Sequence, residues 1–305
     1  MVTKPKDYST VTSLDFTVAL FCRVDDVLKD EKKHILAELH PSEVVTLGML
    51  QALRGEGNRA FYRWVRKELG TLFPRLPERT RLFRLFVQFE ALCQQFLAQP
   101  TLFGVADCYG IELVHPWRER RTQREVARKG LSNHRWIVGA KLAVVTDDCG
   151  QIVGFSVAGA NVHDTSFHPL IEQWEDEMIV LADQGFKAQE PKIKEQKPKK
   201  GRGRPKKPPI PTPQIEEAPA ESPTPPEVVK PANPVNLKIC PKGQWNERMI
   251  VETVFSLFTV VLKMKKLTNR LMAPLQARLA YTCAVFNICT AWDGDVKLQI
   301  APFAL

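Results

Sequence analysis

The chain has 305 residues, 44% hydrophobic and 25% charged, with a formal net charge of +9. That is too long and too apolar for a chain without a real core, and it leaves room for one large domain or two ordinary ones. The charge is local: Pro191 to Ile210 holds nine Lys/Arg and one Glu, a net of +8, so the remainder is close to neutral and the basic stretch points to a polyanion.

Residues 1–100 read as helical. "SLDFTVALFCRVDDVL" has helical spacing, and "SEVVTLGMLQAL" has Ser42 as an N-cap and a stop at Gly55 and Gly57. "NRAFYRWVRKEL" follows with Asn58 as a cap, then "ERTRLFRLFVQFEALCQQFLA". Arg, Lys and aromatic residues interleave on these last two. A small bundle with solvated basic faces explains that composition, and a DNA-binding bundle is the sharper alternative.

From Thr101 the texture is that of a sheet. "TLFGVADCYGIELV" reads as a strand ending at Asp107, and "RWIVGAKLAVVTDDCGQIVGFSVAGA" as a hairpin turning at Asp147–Gly150. "NVHDTSFHPLIEQWEDE" reads as a helix capped by Asp164, and "MIVLADQGF" as a short buried strand ending at Asp183. His163 and His168 match no common zinc spacing and read as ordinary histidines. Residues 190–236 hold thirteen of the 23 prolines and no Phe, Trp or Tyr, so they predict a disordered insert. "NLKICPKG" is one more strand, followed by a long helix from about Trp245 and another from Pro274.

The seven cysteines form no CxxC pair, and Cys22, Cys93, Cys283 and Cys289 sit in apolar runs, as reduced structural thiols do. Asp15 interrupts the apolar stretch nearest the N-terminus, so no signal peptide is expected. The run from Leu279 to Trp292 holds Asn287 and is too short for a bilayer. A soluble, cytoplasmic protein without a membrane partner is the expectation.

Three carboxylates stand apart. Asp107 and Asp183 close apolar β-runs that a parallel sheet would set side by side. Glu252 lies beside the apolar stripe Val251, Val254, Phe255, Phe258, Val261 and Leu262, and shares a helix face with Trp245 and Arg248. Brought together, these groups would be hard oxygen ligands for two Mg²⁺ ions. Taken one at a time, each is equally a turn, cap or solvated residue.

In order along the chain, "VADCYGIELVH", "GAKLAVVTDDCGQIVGFSVAGANVHD", "LADQGF" and "WNERMIVETVFSLF" resemble the elements of the DDE transposases of bacterial insertion sequences. The resemblance runs from about Ser42 to Ala291. It implies an α/β fold, an RNase H-like mixed-sheet catalytic domain preceded by an all-helical N-terminal domain for DNA end recognition or dimerisation. It also implies Asp107, Asp183 and Glu252 as catalytic metal ligands, two Mg²⁺ or Mn²⁺ ions as cofactors, and Arg248 orienting Glu252 or contacting DNA. The implied partners are double-stranded DNA (terminal repeats and target) and a second copy in a homo-oligomer, a dimer; the setting is the nucleoid, with no small-molecule substrate. Two positions depart from the family: Trp245 stands for its Tyr, and Thr259 for a Lys thought to hold DNA. Lys263, one turn further on, is the candidate to reach back.

The expected organisation is 1–100 helical, 101–189 and 237–305 as two parts of the catalytic domain, and 190–236 as the insert. Directly after the first Asp strand, Arg120, Arg121 and Arg124 are candidates to grip phosphate, or solvated loop residues. "GRGRP" at 201–205 looks like an AT-hook, with Arg202 and Arg204 for the narrow minor groove of A·T-rich DNA; a nonspecific basic linker is the alternative. The functional readings are a transposase, a non-catalytic DNA-binding derivative of one, and a structure-specific nuclease.

Overall fold

The computed structural model describes residues 13–119, 126–132, 135–188, 233–241 and 248–292. The expectations for Arg120, Arg121 and Arg124, for Trp245, and for the GRGRP stretch with Arg202 and Arg204 lie outside them. One unit comprises residues 1–187 with 234–305; a second, Ala188–Asn233, is described only at its two ends.

The N-terminal region is helical: α1 (Ser13–Val27), α2 (Pro41–Arg54), α3 (Asn58–Glu68) and α4 (Arg79–Gln88), then a 3₁₀ turn at Glu90–Phe96. The caps differ from the expected ones. His40, not Ser42, caps α2: its ring accepts from the Ser42 N–H while the Glu43 carboxylate takes the His40 N–H, a capping box with Pro41 at the first helical position. Gly57 rather than Asn58 precedes α3, and Asn58 Oδ1 instead accepts from Gln51 Nε2 at 2.9 Å. The stop of α2 is as expected, with Gly55 left-handed at φ 67°, a conformation with no steric cost only for glycine.

The sheet comprises β1 (Phe103–Glu112), β2 (Arg128–Ser132), β3 (Arg135–Thr146), β4 (Ile152–Gly159), β5 (Ile179–Ala182) and β6 (Leu237–Ile239). β2 and β4 share one edge of β3, β1 lies on the other, and β5 and β6 follow. β1, β3 and β4 run antiparallel, whereas β1, β5 and β6 are parallel. This curled mixed sheet is RNase H-like. The β3–β4 turn is held by the Asp147 carboxylate, which accepts from Cys149 N and Gln151 N at 2.9 and 2.7 Å. Burial pushes the carboxyl of Asp147 upward against those bonds.

β1 does not end at Asp107. It continues to Glu112, because Asp107 to Glu112 pair with Val144 to Gly139 of β3. The expected helix at Asp164 is only a 3₁₀ turn, Asp164–Phe167, leading into the short α5 (His168–Glu172). Just before β6, Asn236 is buried and donates to the carbonyls of Ile171 and Met178 at 3.0 and 3.1 Å.

Each sheet face has its own core. One face sets Ala106, Ala143, Val145, Val180 and Ala182 against Phe167, Leu170, Ile171 and Phe186. The other sets Tyr109, Ile111, Leu142 and Val144 against α6 (Arg248–Val260) and runs on into α1 to α4 and α7 (Met272–Ala291). The stripe on α6 behaves as its spacing predicts, with Val251, Val254 and Phe258 buried, and Leu262 is buried just past the helix end. α7 is buried nearly all round. Its Asn287 donates to the carbonyls of Phe96 and Ile152 and accepts from Ile152 N, which is how a polar group survives there. Cys93, Cys283 and Cys289 are buried as expected, but Cys22 is exposed. Among the described residues no helix is long and apolar enough to cross a membrane.

Candidate active site

The site begins with the register of two parallel strands. Val105 pairs with Leu181 and Ala106 with Ala182; one step further, the next residues are Asp107 and Asp183. Asp183, one residue past β5, keeps an extended backbone, φ −79° and ψ 176°, next to the strand pair that Asp107 continues. The Asp107 side chain falls on the face away from Ala106, by the two-residue alternation of strands. Both residues are half-buried. Asp107 Oδ1 accepts from Cys108 N at 2.6 Å, and Asp183 Oδ1 from Gly185 N at 2.8 Å, a turn that also ends β5.

Glu252 approaches on the same side of the sheet. Tyr109, two residues past Asp107, packs its ring on Phe255 and Phe258, and its hydroxyl lies 2.8 Å from Thr259 Oγ1. The N-terminal part of α6 lies at the β3–β4 turn, where Ile250 packs on Gly150, and the chain beyond α6 reaches Glu112 through the Lys265 carbonyl. α6 therefore runs along β1 in the same direction. Glu252 is two turns back from Thr259 on the same helix face, about 10 Å, and Asp107 is about 7 Å back from Tyr109. Glu252 itself is exposed. Among the described residues no three His, Cys, Asp or Glu side chains close into a metal-holding group. The donor set nevertheless fits hard divalent cations, since it consists of carboxylates.

Behind β1 lies a feature that sequence reasoning missed. Lys141 Nζ donates to Asp164 Oδ1 at 2.8 Å and to the Val162 carbonyl at 3.0 Å. Asp164 is not a cap; His163 fills that role, its ring accepting from Thr165 N. Burial first, then Asp164 and Asp107, push the Cys108 thiol well above its ordinary range, so it is a protonated neighbour of both. A Cβ on Gly185 would come 2.6 Å from Asp164 Oδ2 and 2.9 Å from Asp183 Oδ1, so glycine lets both carboxylates crowd one stretch of backbone. His168 is buried and donates through Nε2 to the Phe186 carbonyl at 2.6 Å, fastening the same loop. The only sequence signal for this arrangement was the His-Asp pair at 163–164, which spacing could not interpret.

Residues 98–197, 100 of the 305, match a family model described as the transposase DDE domain. This segment is similar to the transposase DDE domain. The match covers Asp107, Asp164 and Asp183 of the domain, together with β1 to β5; α6 with Glu252 lies beyond it. No curated protein matches the chain.

The basic candidates fare differently around this domain. α6 begins at Arg248. Lys263 is not one turn further along α6, because the helix ends at Val260; it sits at φ 50°, its stem against Gly55. Lys265 lies on this side of the sheet, its ammonium 5.3 Å from the Tyr109 ring centroid. It escaped notice because a helix pattern extended past Val260 puts it on the wrong face.

Proposed function

We propose that this DDE transposase domain cuts DNA at the ends of a mobile element, leaving 3′-OH termini, and joins them to target DNA. Asp107, Asp183 and Glu252 hold two divalent ions, Mg²⁺ or Mn²⁺. Bound there, the ions would polarise the scissile phosphate and lower the pKa of a nucleophilic oxygen. The aspartates stand on rigid parallel strands, and Tyr109, Phe255 and Phe258 form an apolar wall that fixes α6 and the Glu252 it carries. Lys265 beside Tyr109, rather than Lys263, supplies the positive charge near the site in place of the Lys that Thr259 replaces. Arg248 and the arginines at 120, 121 and 124 contact the DNA backbone, and a homodimer brings two ends together. Arg202 and Arg204 of GRGRP lie in the minor groove of A·T-rich DNA, so replacing both weakens A·T-rich binding more than G·C-rich binding; equal weakening reduces the insert to a basic linker.

The observation that supports this reading is that Asp107 and Asp183 each directly follow the last parallel pair, Ala106 with Ala182, inside a segment matching the transposase DDE domain. The test is incubation of the full chain with Mg²⁺ and a duplex bearing the DNA that flanks its own coding region. Nicks with 3′-OH ends, followed by joined products, are expected. Tight binding of those ends without metal-dependent cleavage would leave a DNA-binding derivative instead.

A further inference from the structure

Away from the carboxylates, α2, α3, α4 and α7 line an open pocket of about 730 Å³, within the range of small-ligand sites. Its floor is apolar and aromatic: Phe86 meets Phe83 edge-on at 5.2 Å and Tyr281 at 5.7 Å, with Val87 and Ala277 beside them. Its rim carries Arg59, Arg79 and Arg84, all exposed and none in an ion pair among the described residues. No Asp or Glu is among the described residues that line it.

The wall holds a fourth arginine. Arg278 is buried on α7 and donates through both terminal nitrogens to the carbonyls of Gln51 and Ala52 in the last turn of α2, while its Nε has no hydrogen-bond partner. Burial lowers its pKa to about 10, so it remains a cation at neutral pH. The helix C-terminus offsets only part of that charge. An anion in the adjoining cavity would offset more, because the field of a buried charge is weakly screened.

We propose that this cavity is a nucleoside-phosphate site. The rim arginines take the phosphates, matching oxyanions with forked donors. A base rests on the aromatic floor, and Asn58, Gln88 and Asn269 offer polar edges around it. Two sources share this chemistry: a free nucleotide, or a nucleotide turned out of a DNA strand. The second source rests on the DNA reading above; the first does not.

The test reads binding rather than cleavage, in EDTA, so a failure of metal-dependent chemistry leaves it interpretable. The full chain is titrated into fluorescent N-methylanthraniloyl-ATP, with inorganic pyrophosphate, a blunt duplex and a duplex with an unpaired 3′ extension as competitors. Arg84→Glu should weaken nucleotide binding about tenfold or more, equivalent to about 1.4 kcal/mol. Lys67→Glu, on the exposed surface outside the cavity, should change it by less than about twofold. Phe83→Ala should weaken the nucleotide and spare pyrophosphate. Thermal melts confirm that each variant folds.

Displacement by the extended duplex but not the blunt one assigns the site to a DNA nucleotide. Displacement by neither assigns it to a free nucleotide. Absence of saturable nucleotide binding, equal losses for Arg84→Glu and Lys67→Glu, or displacement by a poly-glutamate peptide as readily as by ATP overturns the proposal.

Discussion

Lys141 and Asp164 form an ion pair at 2.8 Å, their side chains 12% and 23% exposed, directly behind the strand that carries Asp107. A pair this enclosed costs more to break than a surface pair, because either partner alone is left charged and poorly solvated. Asp164→Asn should therefore destabilise the fold by about 1–3 kcal/mol, between a surface pair and a fully buried one, measured by urea unfolding. Lys141→Met combined with Asp164→Asn should recover part of that loss; a double variant as unstable as the sum of the singles would mean the two residues act separately.

Gly185→Ala probes the crowding between the loop and both carboxylates. The added methyl would lie within 3 Å of an oxygen of Asp164 and one of Asp183, so at least one must move. The expected stability loss is about 1–3 kcal/mol. Metal-dependent cleavage should fall further than that loss explains, visible as reduced turnover at temperatures where circular dichroism reports a fully folded protein.

Asp107→Asn separates binding from chemistry. It removes one charged ligand and barely changes volume, so cleavage should drop below detection while electrophoretic shifts of end-bearing DNA persist or strengthen. Calcium should likewise support binding without cleavage, its looser and more variable coordination being a poor match for in-line displacement. Cleavage surviving in Asp107→Asn would remove this residue from the metal set.

Lys265 and Lys263 differ in where the end of α6 leaves them. Lys265→Gln should weaken end binding and cleavage several-fold, because its charge lies beside Tyr109 on the same side as Asp107. Lys263→Gln should have the smaller effect, because its stem packs on Gly55. Fluorescence anisotropy against one labelled duplex compares the two, and the reverse order would restore Lys263 as the DNA contact.

Alkaline stability should reflect the buried thiols. Burial raises Cys289 to about 12 and moves Cys93 and Cys283 in the same direction, from an ordinary value of 9.0. The folded protein thus holds these protons where the unfolded chain releases them. Their contribution is complete below pH 9 and is lost progressively as pH rises towards 12. The melting temperature should fall across that window, and less steeply in Cys283→Ala. A thiol reagent at neutral pH should label Cys22 and Cys149, which are exposed, before Cys93, Cys283 or Cys289.

Much of this protein was determined by local pattern. The two-residue alternation of the hairpin, the apolar stripe of α6, the left-handed Gly55 and the near-continuous burial of α7 all follow from side chains within a few residues of one another. What the pattern could not carry was register and ends. Asp107 looked like a strand terminus but lies within β1, because its hydrogen bonds come from β3, more than thirty residues away. Lys263 looked like a continuation of α6, but the helix stops at Val260, where the chain turns back to bond Glu112. Asp164 looked like a cap because its true partner, Lys141, is invisible at short range. Local propensity acts over a few residues, whereas pairing partners, helix ends and half-buried charges are chosen by whatever the fold brings alongside; only the tertiary structure decided those.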